Sequence, residues 1–254
     1  MEEEMRSKIE RIRMTGLLEV VRDWVKSKRF VRAGDIQREF SVSYEAANCV
    51  LAWLVDEAIV EKEPTYNRGH RVLGRSLGLS IYLLDHNHEM VQAWKERFYG
   101  HKEISVKEGS FARFMDSFDV DCVVSPGNAF GQMDGGYDLA ITDYFGASLQ
   151  KAVQRKIAAE FHGEQPVGSS VIVDIPGTEV RLIHTPTMRV PEPIKDPFVI
   201  YQCMRATLML AIKEKVKSIV IPAFGACCGK LPPETVAEMM GRGYEQILYA
   251  RSGL

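Results

Sequence analysis

No apolar run in the 254 residues approaches the ~18 that a membrane-spanning helix needs, so no membrane partner of that kind is expected. The opening MEEEMRSKIE is acidic and polar, unlike a signal peptide. Excess charge is also missing: the formal net charge is −2, and nothing draws the whole molecule onto nucleic acid. Five cysteines are present (Cys49, Cys122, Cys203, Cys227, Cys228), but no two form a CxxC pair, and the six histidines show no metal-ligand spacing. Adjacent Cys227 and Cys228 read as reduced thiols rather than as a strained bridge. A reducing, cytoplasmic setting is predicted, with no structural metal and no cofactor. No internal repeat, low-complexity tract, Walker A loop or GxGxxG is visible.

What is present falls into two halves, predicted as domains 1–75 and 76–254. The first half reads as helices with little strand character. IERIRMTGLLEVVRDWVKSK carries apolar residues at helical spacing, among them Ile9, Ile12, Leu17, Val20, Val21 and Trp24. Ala33 to Phe40 makes a short helix, SVS breaks it, and Ser43 is a good N-cap for a second helix from Tyr44 to about Glu57. AIVEKE starts a strand that TYNRGHRVL can return as a hairpin. Helix, helix, turn, helix and two-stranded ribbon is the order of a winged helix. Residues 30–60, with REF, SYEAAN and LVDEAIV in sequence, resemble the winged-helix gamma domain of bacterial septal DNA translocases. That resemblance implies double-stranded DNA as a partner of residues 1–75. One departure stands out: the recognition helix opens on Tyr44, Glu45 and Asn48 where those domains carry basic residues. Lys26, Lys28, Arg29, Arg32, Arg68, His70, Arg71 and Arg75 remain nearby to grip phosphates. The alternative is a solvated face on a docking or dimerisation module.

After Arg75 the rhythm changes. LSIYLLD, EISVKEG, DCVVSP, SSVIVDIPG, VRLIHTPT and KSIVIPAFG read as short apolar strands. HEMVQAWKERFYG, ASLQKAVQRKIAAEFH, DPFVIYQCMRATLMLAIKEK and PPETVAEMMGRGYEQILYA read as helices between and after them. Such alternation predicts an α/β layer fold with a sheet covered on both faces. Two of the strands, VVSPGN and IVIPAFGACCGKLPPE, run into glycine-bearing loops that lead to helices. Glycine there lets backbone N–H groups approach an anion, and the helix N-terminus adds positive potential.

DCVVSPGNAFGQMDGGYDLAI, HTPTMRVP and IVIPAFGACCGKLPPETVAEMM, in that order, resemble three segments of macro domains, the ADP-ribose-binding fold, over residues 79–248. The likeness is to the branch associated with ADP-ribose-1″-phosphate processing. It implies a three-layer α/β/α fold with a mixed sheet and a ligand that is ADP-ribose or an ADP-ribosylated protein. It implies that Asn128 bonds the distal ribose hydroxyls, that Gly135 and Gly136 let the backbone pass that ribose, and that Asp138 activates the attacking water. Gly225, Ala226, Cys227, Cys228 and Gly229 would wrap the diphosphate. Gly127, Tyr137 and Phe224 complete the implied contacts, with Ser110 and Ser125 at two positions where the chain departs from the family. Many hydrolytic members carry Asn where Ser125 stands, and many carry an adenine-binding Asp where Ser110 stands. Weaker adenine discrimination is therefore expected unless Asp116, Asp119 or another acid substitutes. Cys227, where relatives often have glycine, is expected to narrow or reshape the diphosphate loop.

The residues alone also allow plainer readings. Asn128 after Pro-Gly is a good turn former. Asp138 suits the first turn of a helix, where the dipole favours an acid by ~0.3–1 kcal/mol. Gly135-Gly136 suits a hairpin. Arg189 can meet a phosphate or an acidic target, or brace its own loop by bonding carbonyls. His86 and His88 fit a helix-entry turn facing solvent, and Met204, Leu208 and Ile212 fit one core-facing helix stripe. Three functions are consistent with the whole: a hydrolase of ADP-ribosyl esters or of ADP-ribose-1″-phosphate, a non-catalytic ADP-ribose reader, and a DNA-binding regulator whose second half is an interaction platform.

Overall fold

A computed structural model of the chain describes residues 2–28, 30–57, 59–61, 69–72 and 76–250. It divides into two compact units, residues 1–75 with 248–254, and residues 76–247.

In the first unit, α1 (Glu2–Arg13) and α2 (Leu17–Lys26) precede a two-residue strand, β1 (Phe30–Val31). Then come α3 (Ala33–Phe40), α4 (Tyr44–Asp56), β2 (Val60–Glu61) and β3 (His70–Val72). Ser43 caps α4 as its position predicts, its hydroxyl accepting from Ala46 N at 3.1 Å. β3 pairs antiparallel with both β1 and β2, in the order β1-β3-β2. The strand β1 has no counterpart in the sequence reading, because two residues are too few to show a period. Residues 62–68, the predicted hairpin tip, lie outside the described residues, as do Arg29 and Arg75. Leu18, Val21, Val25, Ile36, Val50, Leu54 and Val60 are fully buried in one cluster, each such side chain contributing about 1.5–3 kcal/mol. Several cations among the described residues of this unit are paired: Lys8 with Glu45 at 2.6 Å, Arg22 with Glu19 at 2.9 Å, Lys26 with Asp23 at 2.7 Å, and Arg38 with Asp35.

The second unit alternates strand and helix. Its elements are β4 (Ser80–Asp85), α5 (His88–Arg97), β5 (Ile104–Glu108), α6 (Phe111–Met115), β6 (Cys122–Ser125), α7 (Gly136–Phe145) and α8 (Ser148–Phe161). They continue with β7 (Val171–Asp174), β8 (Arg181–His184), α9 (Phe198–Lys213), β9 (Ser218–Pro222) and α10 (Pro233–Ala250). Six strands form one mixed sheet, β5-β4-β9-β6-β8-β7, parallel throughout except for β7 against β8. Leu84, Val123, Leu182 and Val220 face one core with Phe111 and Phe114 of α6, Ile141 of α7, and Leu149, Val153 and Ile157 of α8. Their neighbours Leu83, Val124, Ile183 and Ile221 are equally buried and, by the period of two, point to the opposite face. Trp94 of α5, Met204 and Leu208 of α9, and Met240 and Tyr244 of α10 are buried as well. Parallel β4, β6, β8 and β9 all end at one edge of the sheet, which is where an open α/β sheet offers its crevice.

No helix among the described residues is long and apolar enough to cross a membrane, and no group of three or more potential metal ligands occurs among them. All five cysteines are free thiols.

Candidate functional site

At that edge lies a cleft of ≈ 390 Å³, within the range of small-molecule sites. The loops after β4, β5, β6, β8 and β9 line it. They bring together residues far apart in sequence: Gly127, Asn128, Gly135, Gly136, Tyr137 and Asp138 on one side, and Gly225, Ala226, Cys227 and Cys228 on the other, with Ser110 near a third loop. Three sequence-predicted contacts stand behind the wall instead. Ser125 and Phe224 are fully buried, Gly229 is buried too, and none of the three lines the cleft. The reason is periodicity. Ser125 is the last residue of β6 and pairs with His184, while Phe224 directs its ring into the interior just past β9.

The loop from Pro126 to Gly135 is held by Asn128 within it and by side chains of the two helices that follow. Asn128 Oδ1 accepts from Phe130 N at 3.1 Å and Gln132 N at 3.4 Å, and its Nδ2 donates to Gln132 O at 2.9 Å. Asn128 is therefore a turn former as well as a cleft residue, and one amide hydrogen remains uncommitted by valence. Met133 N donates to Gln150 Oε1 at 2.9 Å, and the Thr142 hydroxyl donates to Met133 O at 3.1 Å. Gly127 O accepts from Thr187 N at 3.0 Å, so the loop continues the β6–β8 pairing beyond the strands.

Gly135 and Gly136 are not a hairpin. Gly135 is the N-cap of α7 and Gly136 its first residue, in the left-handed region at φ 57°. Weak periodicity in GYDLAITDYF kept α7 out of the helices read from apolar spacing, but Asp138 does stand in a first helical turn, as its plainer reading had it. Asp138 sits in the first turn of α7, yet its carboxylate accepts from Ser125 Oγ at 2.7 Å, across the cleft wall from its own helix. Burial raises the Asp138 carboxyl to about 7, the Ser125 hydrogen bond opposing and nearby Asp134 adding to the rise. A carboxyl with such a pKa can exchange protons near neutral pH. Tyr137 packs edge-on to Phe111 with ring centroids 5.4 Å apart. Its buried hydroxyl has no hydrogen-bond partner among the described residues, and burial keeps it un-ionised, with Asp85 and Asp138 adding to the effect.

The second loop is shaped by Gly225, at φ 73°, where a Cβ would fall 2.7 Å from Ile194 Cδ1 and 2.8 Å from Ile200 Cδ1. Only glycine meets both demands. Cys227 and Cys228 are exposed. The point where a Cβ on Gly136 would stand is 3.7 Å from Cys227 Sγ, so the thiol fills space between the two loops. Burial, followed by Cys228, pushes the Cys227 thiol up from its ordinary value, the opposite of an activated nucleophile.

Several lining residues were missed by sequence reasoning. Asp85 ends β4 beside Ser110, its Oδ1 accepting from Asn87 N at 2.8 Å. It is the acid that lines this end of the cleft, whereas Asp116 meets the Tyr144 hydroxyl at 3.2 Å and Asp119 is exposed elsewhere. Its signal was positional, since it is the strand-end residue next to β5, but that needs the strand order to be seen. Ser110 precedes α6 and its hydroxyl makes no cap bond. Arg189 meets an acid of its own chain: Nε and Nη2 bond the Glu164 carboxylate at 2.7 and 3.1 Å, with the guanidinium 5.0 Å above the Phe130 ring, and it does not line the cleft. His86 and His88 are exposed around Asn87, the N-cap of α5.

A family model described as Macro domain matches residues 124–240. An uncharacterized protein of Aquifex aeolicus (strain VF5) is 31% identical over 139 residues, 54% of this chain and 78% of its own. Among solved structures, the Oceanobacillus iheyensis macrodomain with ADP is similar at 25% identity, covering 52% of this chain and 70% of its own, with a TM-score of 0.46. The macrodomain of Mycobacterium tuberculosis DarG is similar at 19% identity, covering 56% and 89%, with a TM-score of 0.47.

Proposed function

We propose that the cleft of the second unit, whose residues 124–240 match the Macro domain family model, binds ADP-ribose and hydrolyses an ADP-ribosyl ester or a related ADP-ribose derivative. The observation that carries the reading is the meeting of Asn128, Gly136, Asp138 and the Gly225–Cys228 loop in one cleft. Backbone N–H groups of the second loop would hold the diphosphate without a lysine, which suits a near-neutral chain. Asn128, with its uncommitted amide hydrogen, would orient the distal ribose. Asp138, poised near neutrality, would take a proton from the attacking water and stabilise positive charge at the anomeric carbon.

Calorimetry with ADP-ribose, followed by a hydrolysis assay on ADP-ribosylated protein and on ADP-ribose-1″-phosphate, tests this. Asp138→Ala is expected to abolish turnover and to leave ADP-ribose affinity within a few-fold. Binding without product release from the unsubstituted protein would make the chain a reader. The motivating observation for that second reading is Ser125, which spends its hydroxyl on Asp138 instead of on a ligand.

Residues 1–75 would act as a winged helix that tethers the cleft to duplex DNA. Lys8 neutralises Glu45 in the first turn of α4, which removes the charge that would repel phosphate there, and Tyr44 and Asn48 are exposed beside it. A duplex shift by the full chain that weakens as salt rises is the expected result. No shift at low salt would assign this surface to a protein partner.

A further inference from the structure

Two cysteines stand side by side on the cleft wall. Cys227 and Cys228 are exposed and both line the cleft, whereas Cys49, Cys122 and Cys203 are buried. Burial pushes the thiols of Cys122 and Cys203 up to about 12, which keeps them out of thiol chemistry at neutral pH. The exposed pair belongs to a tight turn of the second loop, in which Cys227 O accepts from Lys230 N at 3.2 Å. The two thiols are within reach of each other, since Cys228 acts on Cys227 through a side-chain hydrogen bond. Cys227 Sγ also faces the first loop, 3.7 Å from where a Cβ on Gly136 would stand.

A direct bond between the two sulfurs is disfavoured. Adjacent Cα atoms stand about 3.8 Å apart, and disulfides usually hold theirs at about 4.4–6.8 Å. An atom inserted between the sulfurs lengthens the bridge and removes that misfit. Attack by one thiol alone is disfavoured too, because Cys227 is held protonated, chiefly by burial and then by its neighbour. The pair suits an electrophile that takes both sulfurs. Once the first bond has formed, the second closes within the same turn, at the high effective concentration of a short tether.

We propose that Cys227 and Cys228 form a dithiol site for a thiophilic electrophile with two open positions, the class that a monosubstituted trivalent arsenical represents, and that its capture closes the cleft. Two S–H bonds break and two As–S bonds form. Both hydrogens leave with the arsenical's oxygen as water, and the arsenic keeps its oxidation state, so no oxidant or reductant is needed. The adduct stands between Gly136 and the second loop, in the space assigned above to the diphosphate and the distal ribose. The closure rests on the ADP-ribose reading, whereas the dithiol site does not.

The test is intact-mass measurement of the full chain treated with phenylarsine oxide. One adduct per chain is expected, removed by dithiothreitol and retained at an equal thiol concentration of 2-mercaptoethanol. Cys227→Ser and Cys228→Ser should each weaken capture about a hundredfold or more, because each leaves a single point of attachment. No adduct on the unsubstituted chain, release by the monothiol as readily as by the dithiol, or undiminished capture by either variant overturns the site. Calorimetry on the treated chain should show ADP-ribose binding lost, then restored by dithiothreitol. An adduct that leaves the affinity unchanged overturns the closure. An untreated chain that captures the arsenical but does not bind ADP-ribose removes the proposed function and leaves the dithiol site standing.

Discussion

Gly229→Ala is expected to weaken ADP-ribose binding by about a hundredfold or more and to lower stability by about 1–3 kcal/mol. Gly229 does not touch the cleft; it lies beneath the loop that does. A Cβ on it would stand 2.4 Å from the carbonyl oxygen of Gly225 and 2.7 Å from Ile194 Cδ1. The isoleucine can rotate away, but the carbonyl belongs to backbone already committed, since Gly225 O accepts from Leu231 N at 3.3 Å and Gly229 O accepts from Ile194 N at 2.9 Å. Relief therefore requires the 225–229 loop to open, which displaces the N–H groups proposed to hold the diphosphate. A hundredfold loss corresponds to about 2.7 kcal/mol, the size of one strong hydrogen bond to a charged group at about 1.5–3 kcal/mol. Calorimetry and urea unfolding measure the two effects separately. Unchanged affinity alongside reduced stability would mean that the loop does not hold the ligand.

How much of this was legible in the sequence follows from which interactions are local. The two glycine loops could be read because each is a strand end followed by glycines and a helix, all within about fifteen residues of chain. The Ser43 cap of α4 was legible for the same reason, as acceptor and donor lie three residues apart. Ser125 was misplaced because its partner Asp138 is thirteen residues away across a loop, and no local pattern says that a hydroxyl at a strand end will turn inward to a helix. His184 is the same case at longer range. The β6–β8 pairing sets it beside Ser125, and its ring packs where a side chain at position 127 would have to stand. Asp85 needed the order β5-β4-β9 to be known before its place in the cleft could be seen. Long-range register thus decided the second layer of the site, while local turn chemistry decided the first.

That second layer carries a measurable electrostatic load. Asp138→Asn is expected to stabilise the protein above about pH 7 by roughly 2–4 kcal/mol and to change little below about pH 4. In the unfolded chain the Asp138 carboxyl ionises near its ordinary 3.8, and in the folded chain near 7. Between those values the native state binds a proton that the unfolded state has released, so the stability of the unsubstituted protein falls as pH rises through this window and levels off above it. Each unit of separation is worth about 1.4 kcal/mol, and about three units separate the two states. The asparagine has no charge to desolvate. Its Oδ1 can still accept from Ser125, so that contact survives the change. Urea unfolding of the two proteins at intervals from pH 4 to pH 8 gives the difference curve, in which other ionisable groups largely cancel. Parallel curves would show that Asp138 is ionised with ease in the folded state, and its role as a proton-exchanging group at neutral pH would fall with that result. A divergence confined to about pH 4–7, joined to lost turnover and retained ADP-ribose binding, would mean that the carboxyl is kept there against its stability for the reaction that it performs.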